Sequence, residues 1–140
     1  MPFLSIIIPA YNEEDRIGRT LEGTFEYLDA QSYDSEVLVV NDGSRDRTDE
    51  TVLRFAEQSS GRLRLIENPG NRGKGYAVRN GMLQAAGDIA LFYDADLATP
   101  TSEIVKVITP ITENRYDVVF GSRALDRSLI GTHQSVARET

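Results

Sequence analysis

The sequence predicts an α/β fold in which a mainly parallel sheet is covered by helices on both faces. Three observations carry that expectation. Short runs rich in Val, Ile, Leu and Phe recur along the chain and are bounded by Gly, Pro, Asn and Asp clusters. Between them lie helical patterns of a dozen residues or more. Strand and helix alternate throughout, an order that calls for right-handed crossovers between parallel strands.

Five strands are expected, at residues 4–8, 36–40, 63–66, 89–93 and 117–120. The first follows Met1 directly, with no basic lead before its short apolar run and no small-residue cleavage site after it, so it reads as a strand and not a signal peptide. The first helix carries Ile17, Leu21, Phe25 and Leu28 on one face, with Asn12 as its expected N-cap and Asp15 three residues on. A second helix is expected from about 46 to 58, with Val52, Phe55 and Ala56 turned inward. The third runs from about 74 to 86 and is closed by Gly87 as C-cap. A fourth, about 101–114, carries Ile104, Val105, Ile108 and Ile111, and Pro110 should kink or shorten it.

The 140 residues suffice for one core and leave no length for a second full domain. A net charge of -7 argues against non-specific nucleic-acid binding, which needs a basic face. With no cysteine, disulfides and thiolate metal sites are excluded. No run of roughly 18 to 20 apolar residues encodes a membrane-spanning helix. From Gly121 onward the chain turns polar, gathering Arg123, Arg127, His133 and Arg138, which suggests that the domain is cut short.

In open parallel sheets, ligands bind beyond the carboxyl ends of the strands, where the strand order reverses. The chemically informative residues all follow strands: 9–14 the first, 41–44 the second, 68–75 the third, 94–96 the fourth and 121–123 the fifth. In Asp94-Ala95-Asp96, one carboxylate can accept from a ribose hydroxyl while the other holds Mg2+ or Mn2+ against a diphosphate. Asp42 can accept the N–H of uracil, although guanine offers donors as well, and the same side chain can cap the helix that starts near 44–46. Arg72, Gly73, Lys74 and Gly75 open the third helix, where backbone N–H groups and cations attract a phosphate or a base carbonyl; a plain flexible loop accounts for the glycines equally well. A P-loop would need Gly at position 68 and Ser or Thr at 75, where Asn68 and Gly75 stand. Val78 occupies the third glycine position of a dinucleotide fingerprint.

Taken together, residues 5–14, 39–48, 71–75, 94–96 and 121–123 resemble glycosyltransferase family 2. The resemblance implies the Rossmann-like GT-A fold and inversion at the anomeric carbon. It implies that Pro9, Ala10, Tyr11, Glu13, Asp42, Arg72, Lys74, Asp94 and Ala95 surround a nucleotide-sugar, and that Asp96 holds the metal. Residues 94–100 and 121–125 are most similar to the dolichyl- or polyprenyl-phosphate glucosyltransferase branch. Ala98 and Thr99 favour UDP-glucose over the GDP-mannose of its sister branch. A phosphate acceptor, with a second pKa of about 6, needs no base to become nucleophilic. It does need cations: Arg123, Arg127 and Arg138 can hold its charge beside the departing diphosphate, and Arg123 and Arg138, with Asp96, are the expected catalytic residues, Arg127 serving equally as a surface arginine.

On this reading residues 1–123 form the nucleotide-sugar-binding core and 124–140 begin an acceptor-side segment. The enzyme works peripherally at the cytosolic face of a membrane. Surface left bare by an absent acceptor half would favour a homodimer, or leave a chain that binds nucleotide without turnover. A sugar nucleotidyltransferase fits less well, because Pro9-Ala10-Tyr11-Asn12 stands where it would carry a Gly-rich basic loop.

Overall fold

A computed structural model describes residues 2–96, together with Ile104 and Ile108. The chain divides into two compact units, Met1–Thr99 and Pro100–Thr140. The first contains β1 (Leu4–Ala10), α1 (Ile17–Asp29), β2 (Ser35–Asn41), α2 (Thr48–Glu57), β3 (Leu63–Glu67), α3 (Lys74–Gln84) and β4 (Ile89–Phe92). In the second, Ile104 and Ile108 are helical and buried, as the four-residue spacing predicts. The rest of the expected fourth helix and the fifth strand lie outside the described residues.

The four strands are parallel in the order β3-β2-β1-β4. Every residue of β1 is buried, which is why its apolar run is nearly continuous and does not alternate. At the outer end of the order, β3 buries Leu63 and Ile66 and exposes Arg64 and Glu67. Ile7, Leu38, Val40, Ile66 and Ala77 form one buried cluster beneath α3, with Met82 and Phe92 packed against it. By the period-two geometry of a strand, Ile6, Ile8, Val37 and Val39 turn to the other face. The chain steps outward from β1 to β3 and then returns to β4, so right-handed crossovers set α1 and α2 on one face and α3 on the other.

Helix α3 approaches the sheet closely because Gly81 has no side chain. A Cβ there would stand 2.5 Å from Ile7 Cγ2 and 3.1 Å from Val40 Cγ2.

Two expected caps are corrected. Asn12 does not cap α1, which begins five residues later with no side-chain cap. It adopts φ 53°, its N–H donates to Ser44 Oγ and its Oδ1 accepts from Arg45 N–H. A residue bridging two loops in this way cannot also reach the first helical turn. Gly87 does not close α3, which ends at Gln84 with an extended Ala85 after it. Its glycine is required by close approach instead, since a Cβ would lie 2.8 Å from Ser5 N. The Gly87 N–H donates to Ser5 Oγ, and the Ser5 hydroxyl in turn donates to Glu36.

Candidate functional site

The strand order reverses between β1 and β4, and the two strands part company at their carboxyl ends. Pairing runs from Leu4 opposite Ile89 to Ile7 opposite Phe92, and Tyr93 N–H still reaches the Ile7 carbonyl. Beyond that point β1 continues through Pro9 and Ala10 while the other chain peels away, which opens a crevice. Pro9 is tolerated in a sheet because a strand that has lost its neighbour on one side needs fewer donors. On the opposite side β1 stays in register with β2 as far as Ala10 opposite Asn41, and Asp42 N–H extends the ladder to the Ala10 carbonyl.

The crevice, about 150 Å³, is lined by Pro9, Ala10, Tyr11, Asp42, Lys74, Ala77 and Asp94. Six of these seven were expected from the sequence; Ala77 was not. Lys74 Nζ lies 2.5 Å from Asp94 Oδ1 and 6.0 Å from the centroid of the Phe92 ring, so the cation and the first acid of the triplet meet at the mouth. Both side chains remain substantially exposed, so their pairing contributes little to stability.

Asp42 is buried and fully ordered by donors. Its Oδ1 accepts from Asn68 Nδ2 and Arg72 N–H, and its Oδ2 accepts from Gly73 N–H, all at 2.8 Å. Asp42 therefore does not cap α2; it gathers the loop ahead of α3. Gly43 makes room for that loop, adopting φ 73° where a Cβ would strike Asn71 N and Gly70 C at 2.6 Å. The turn before α2 is organised by Asp46, whose carboxylate accepts from Thr48 N–H, the Thr48 hydroxyl and Glu14 N–H. Burial pushes the Asp46 carboxyl up, but these hydrogen bonds outweigh it and hold the group below the ordinary carboxylate range.

The acidic triplet is fixed from behind by α1. Thr24 Oγ1 meets the Tyr93 hydroxyl, and Thr20 Oγ1 donates to the Ala95 carbonyl. Tyr93 and Ala95 are buried while Asp94 is half-buried and Asp96 exposed. Alternate residues thus anchor the segment and present its acids. Thr20 and Thr24 escaped the sequence reading, although two threonines four residues apart on the buried face of an amphipathic helix are a signal that something polar faces them.

The remaining expected residues lie elsewhere or play other parts. Glu13 pairs with Arg16 at 2.5 Å, and its N–H donates to Thr48 Oγ1. Arg72 contributes its N–H to Asp42 and turns its guanidinium to the Pro69 carbonyl. Neither Glu13 nor Arg72 lines the crevice. Arg123 and Arg138 lie outside the described residues.

Among the described residues, no group of three or more His, Cys, Asp or Glu could by itself hold a metal ion. Asp96, exposed at the end of the triplet, offers the carboxylate oxygens that a hard divalent cation of the Mg2+ type takes alongside phosphate and water, whereas Asp94 is already paired with Lys74. Among the described residues no helix is long and apolar enough to cross a membrane.

Comparison with known proteins identifies the family and the fold. A dolichyl-phosphate beta-glucosyltransferase of Trichomonas vaginalis is 40% identical over 98% of this chain and 44% of its own length. The human dolichyl-phosphate beta-glucosyltransferase is 33% identical over 86% of this chain and 41% of its own length. The chain thus spans less than half the length of these curated relatives. Among solved structures, a Pyrobaculum calidifontis mannosyltransferase in complex with GDP-Man and Mn2+ superposes with a TM-score of 0.60 at 35% identity, covering 68% of this chain and 28% of that one. TarS of S. aureus in complex with UDP-GlcNAc gives 0.63 at 26% identity, covering 89% of this chain and 36% of that one. These likenesses establish the Rossmann-like GT-A architecture. The profile of glycosyl transferase family 2 matches residues 5–132, and the chain belongs to that family.

Proposed function

We propose that this chain is the nucleotide-sugar-binding part of an inverting hexosyltransferase that moves glucose from UDP to a dolichyl or other polyprenyl phosphate at the cytosolic membrane surface. The observation that carries the reading is the switch-point crevice, where Pro9, Tyr11, Asp42, Lys74 and Asp94 converge from four separate segments. The curated relatives named as dolichyl-phosphate beta-glucosyltransferases support the sugar and the acceptor.

At about 150 Å³ the crevice is smaller than the roughly 300–1,000 Å³ of a pocket that takes a whole ligand, and it suits the base end of a nucleotide. Asp42 accepts the base N–H, Tyr11 and Pro9 wall the ring, and Asp94 accepts from the ribose. Lys74, already at the mouth, turns to the diphosphate. Asp96, with Asp94 beside it, holds Mg2+ or Mn2+. That ion, when bound, neutralises the departing diphosphate. Arg123 and Arg138 hold the acceptor phosphate, whose oxygen attacks without a protein base.

Calorimetry of UDP with Mn2+ and with chelator tests the donor assignment. Wild-type chain should bind UDP in a metal-dependent manner, and Asp96→Ala should abolish the metal dependence; unchanged metal-dependent affinity would reject it. A lipid-phosphate turnover assay with UDP-glucose then separates transfer from binding alone. The mannosyltransferase likeness at 35% identity favours GDP-mannose as the second reading, and the same titration with GDP discriminates it.

A further inference from the structure

A carboxylate has about four lone-pair sites and only accepts. At Asp42, Oδ1 receives two donors, from Asn68 and Arg72, and Oδ2 receives one, from Gly73. One acceptor position therefore remains, on Oδ2, and Asp42 lines the crevice. The donors from Asn68 Nδ2 and Arg72 N–H together commit Oδ1, and of the two only Asn68 is a side chain with a further partner of its own.

The orientation of Asn68 is itself dictated. Because Asp42 can only accept, Asn68 must point its amide nitrogen at it, which leaves Asn68 Oδ1 directed away. That oxygen accepts from Asn80 Nδ2 at 2.8 Å, and Asn80 Oδ1 in turn accepts from Gln84 Nε2 at 2.9 Å. The chain of amides is polarised outward from a single carboxylate along one side of α3. Asn68 is buried, so a partner lost there costs more than one lost at Gln84, which is exposed and exchanges its partner for solvent.

We propose that Asn80 is a positioning residue for base recognition: through Asn68 it holds the Asp42 carboxylate so that one Oδ2 lone pair faces the crevice. Asn80 touches no ligand. The inference rests on the reading in which Asp42 accepts from the base, and it extends that reading to a residue of α3 that neither the strand-end rule nor the motifs single out. The chemical consequence is selectivity. Uracil presents N3–H, which the oriented oxygen takes; cytosine presents an unprotonated N3, which it repels. Asn80→Asp sets an acceptor against Asn68 Oδ1 with almost no change in shape, and Asn80→Ala removes the donor without adding charge.

The experiment titrates the 140-residue wild-type chain, Asn80→Asp and Asn80→Ala with UDP and with CDP in the presence of Mn2+. Backbone amide exchange is followed in parallel. UDP affinity is expected to fall on the order of tenfold in both variants, with CDP affinity nearly unchanged, so that the UDP:CDP ratio collapses. The Arg72 and Gly73 amides, which donate to Asp42, should exchange faster while those of Ile7 and Leu38 keep their protection. An unchanged ratio together with unchanged Arg72 and Gly73 exchange overturns the proposal. So does an equal loss of both nucleotides accompanied by faster exchange in the sheet, which would mark general loosening. If wild-type chain binds neither nucleotide, the donor reading itself fails, and the exchange of Arg72 and Gly73 alone decides whether Asn80 orders Asp42.

Discussion

Tyr93 stands one residue before Asp94 and faces the other way, into α1, where its hydroxyl meets Thr24. Burial raises the Tyr93 phenol well above its ordinary range, and the Thr24 hydrogen bond offsets only part of that. The sign for stability follows directly. Below about pH 10 the phenol is neutral in folded and unfolded chains alike and its contribution is complete. Above that, the unfolded phenol ionises while the folded one does not, so stability falls as pH rises. Urea unfolding between pH 8 and 11 should therefore show an alkaline loss that Tyr93→Phe reduces. The cost of that substitution at pH 7 should stay near 1 kcal/mol, because Thr24 keeps its bond to the Thr20 carbonyl. Asp46 works in the opposite sense: its lowered carboxyl contributes above the unfolded pKa and is lost as pH falls through the folded one. At this scale the sequence was legible for acids that follow strands and silent for their supports. Asp42, Asp94 and Lys74 sit at strand or helix ends, and the structure brings them to one crevice. Asn80 acts through Asn68, 12 residues back, which no strand-end pattern marks, and the Thr20/Thr24 spacing signals a polar partner without identifying Ala95, 75 residues on.

Helix α3 offers one substitution with two opposite outcomes. Gly75 lies in its first turn with open space around its missing Cβ, whereas Gly81 is pressed against Ile7 and Val40. Replacing either by Ala gains up to about 1 kcal/mol of helix propensity. At Gly75 that gain should survive and raise the urea midpoint. At Gly81 it should be outweighed by overpacking of about 1–3 kcal/mol, and the midpoint should fall. Apolar runs located all four described strands, and the segments between them all three complete helices, to within a few residues; the signature is plainest in β1 and β2, which are buried on both faces. Helix starts were less legible. Asn12 carries the side chain of a cap, but tertiary bonds to Ser44 and Arg45 claim it first. Gly87 has the composition of a C-cap and serves instead to let the chain pass against β1.

For the whole molecule, the parallel arrangement was readable, and strands of a parallel sheet end on one rim, where residues from four of the informative clusters gather. A ligand seated on that rim should stabilise the entire unit. With UDP at a hundredfold its Kd and Mn2+ present, the added stability should be roughly 2.7 kcal/mol, seen as a higher thermal midpoint that chelator removes. The order β3-β2-β1-β4 also has a temporal consequence. As the chain leaves the ribosome amino end first, β1, β2 and β3 can zip together while β4 is still being made. The crevice needs β4 as one wall, so it is completed last. On the proposed function, affinity for a nucleotide is thus a late acquisition of the nascent polypeptide, gained when Ile89 to Phe92 slot beside a strand synthesised long before.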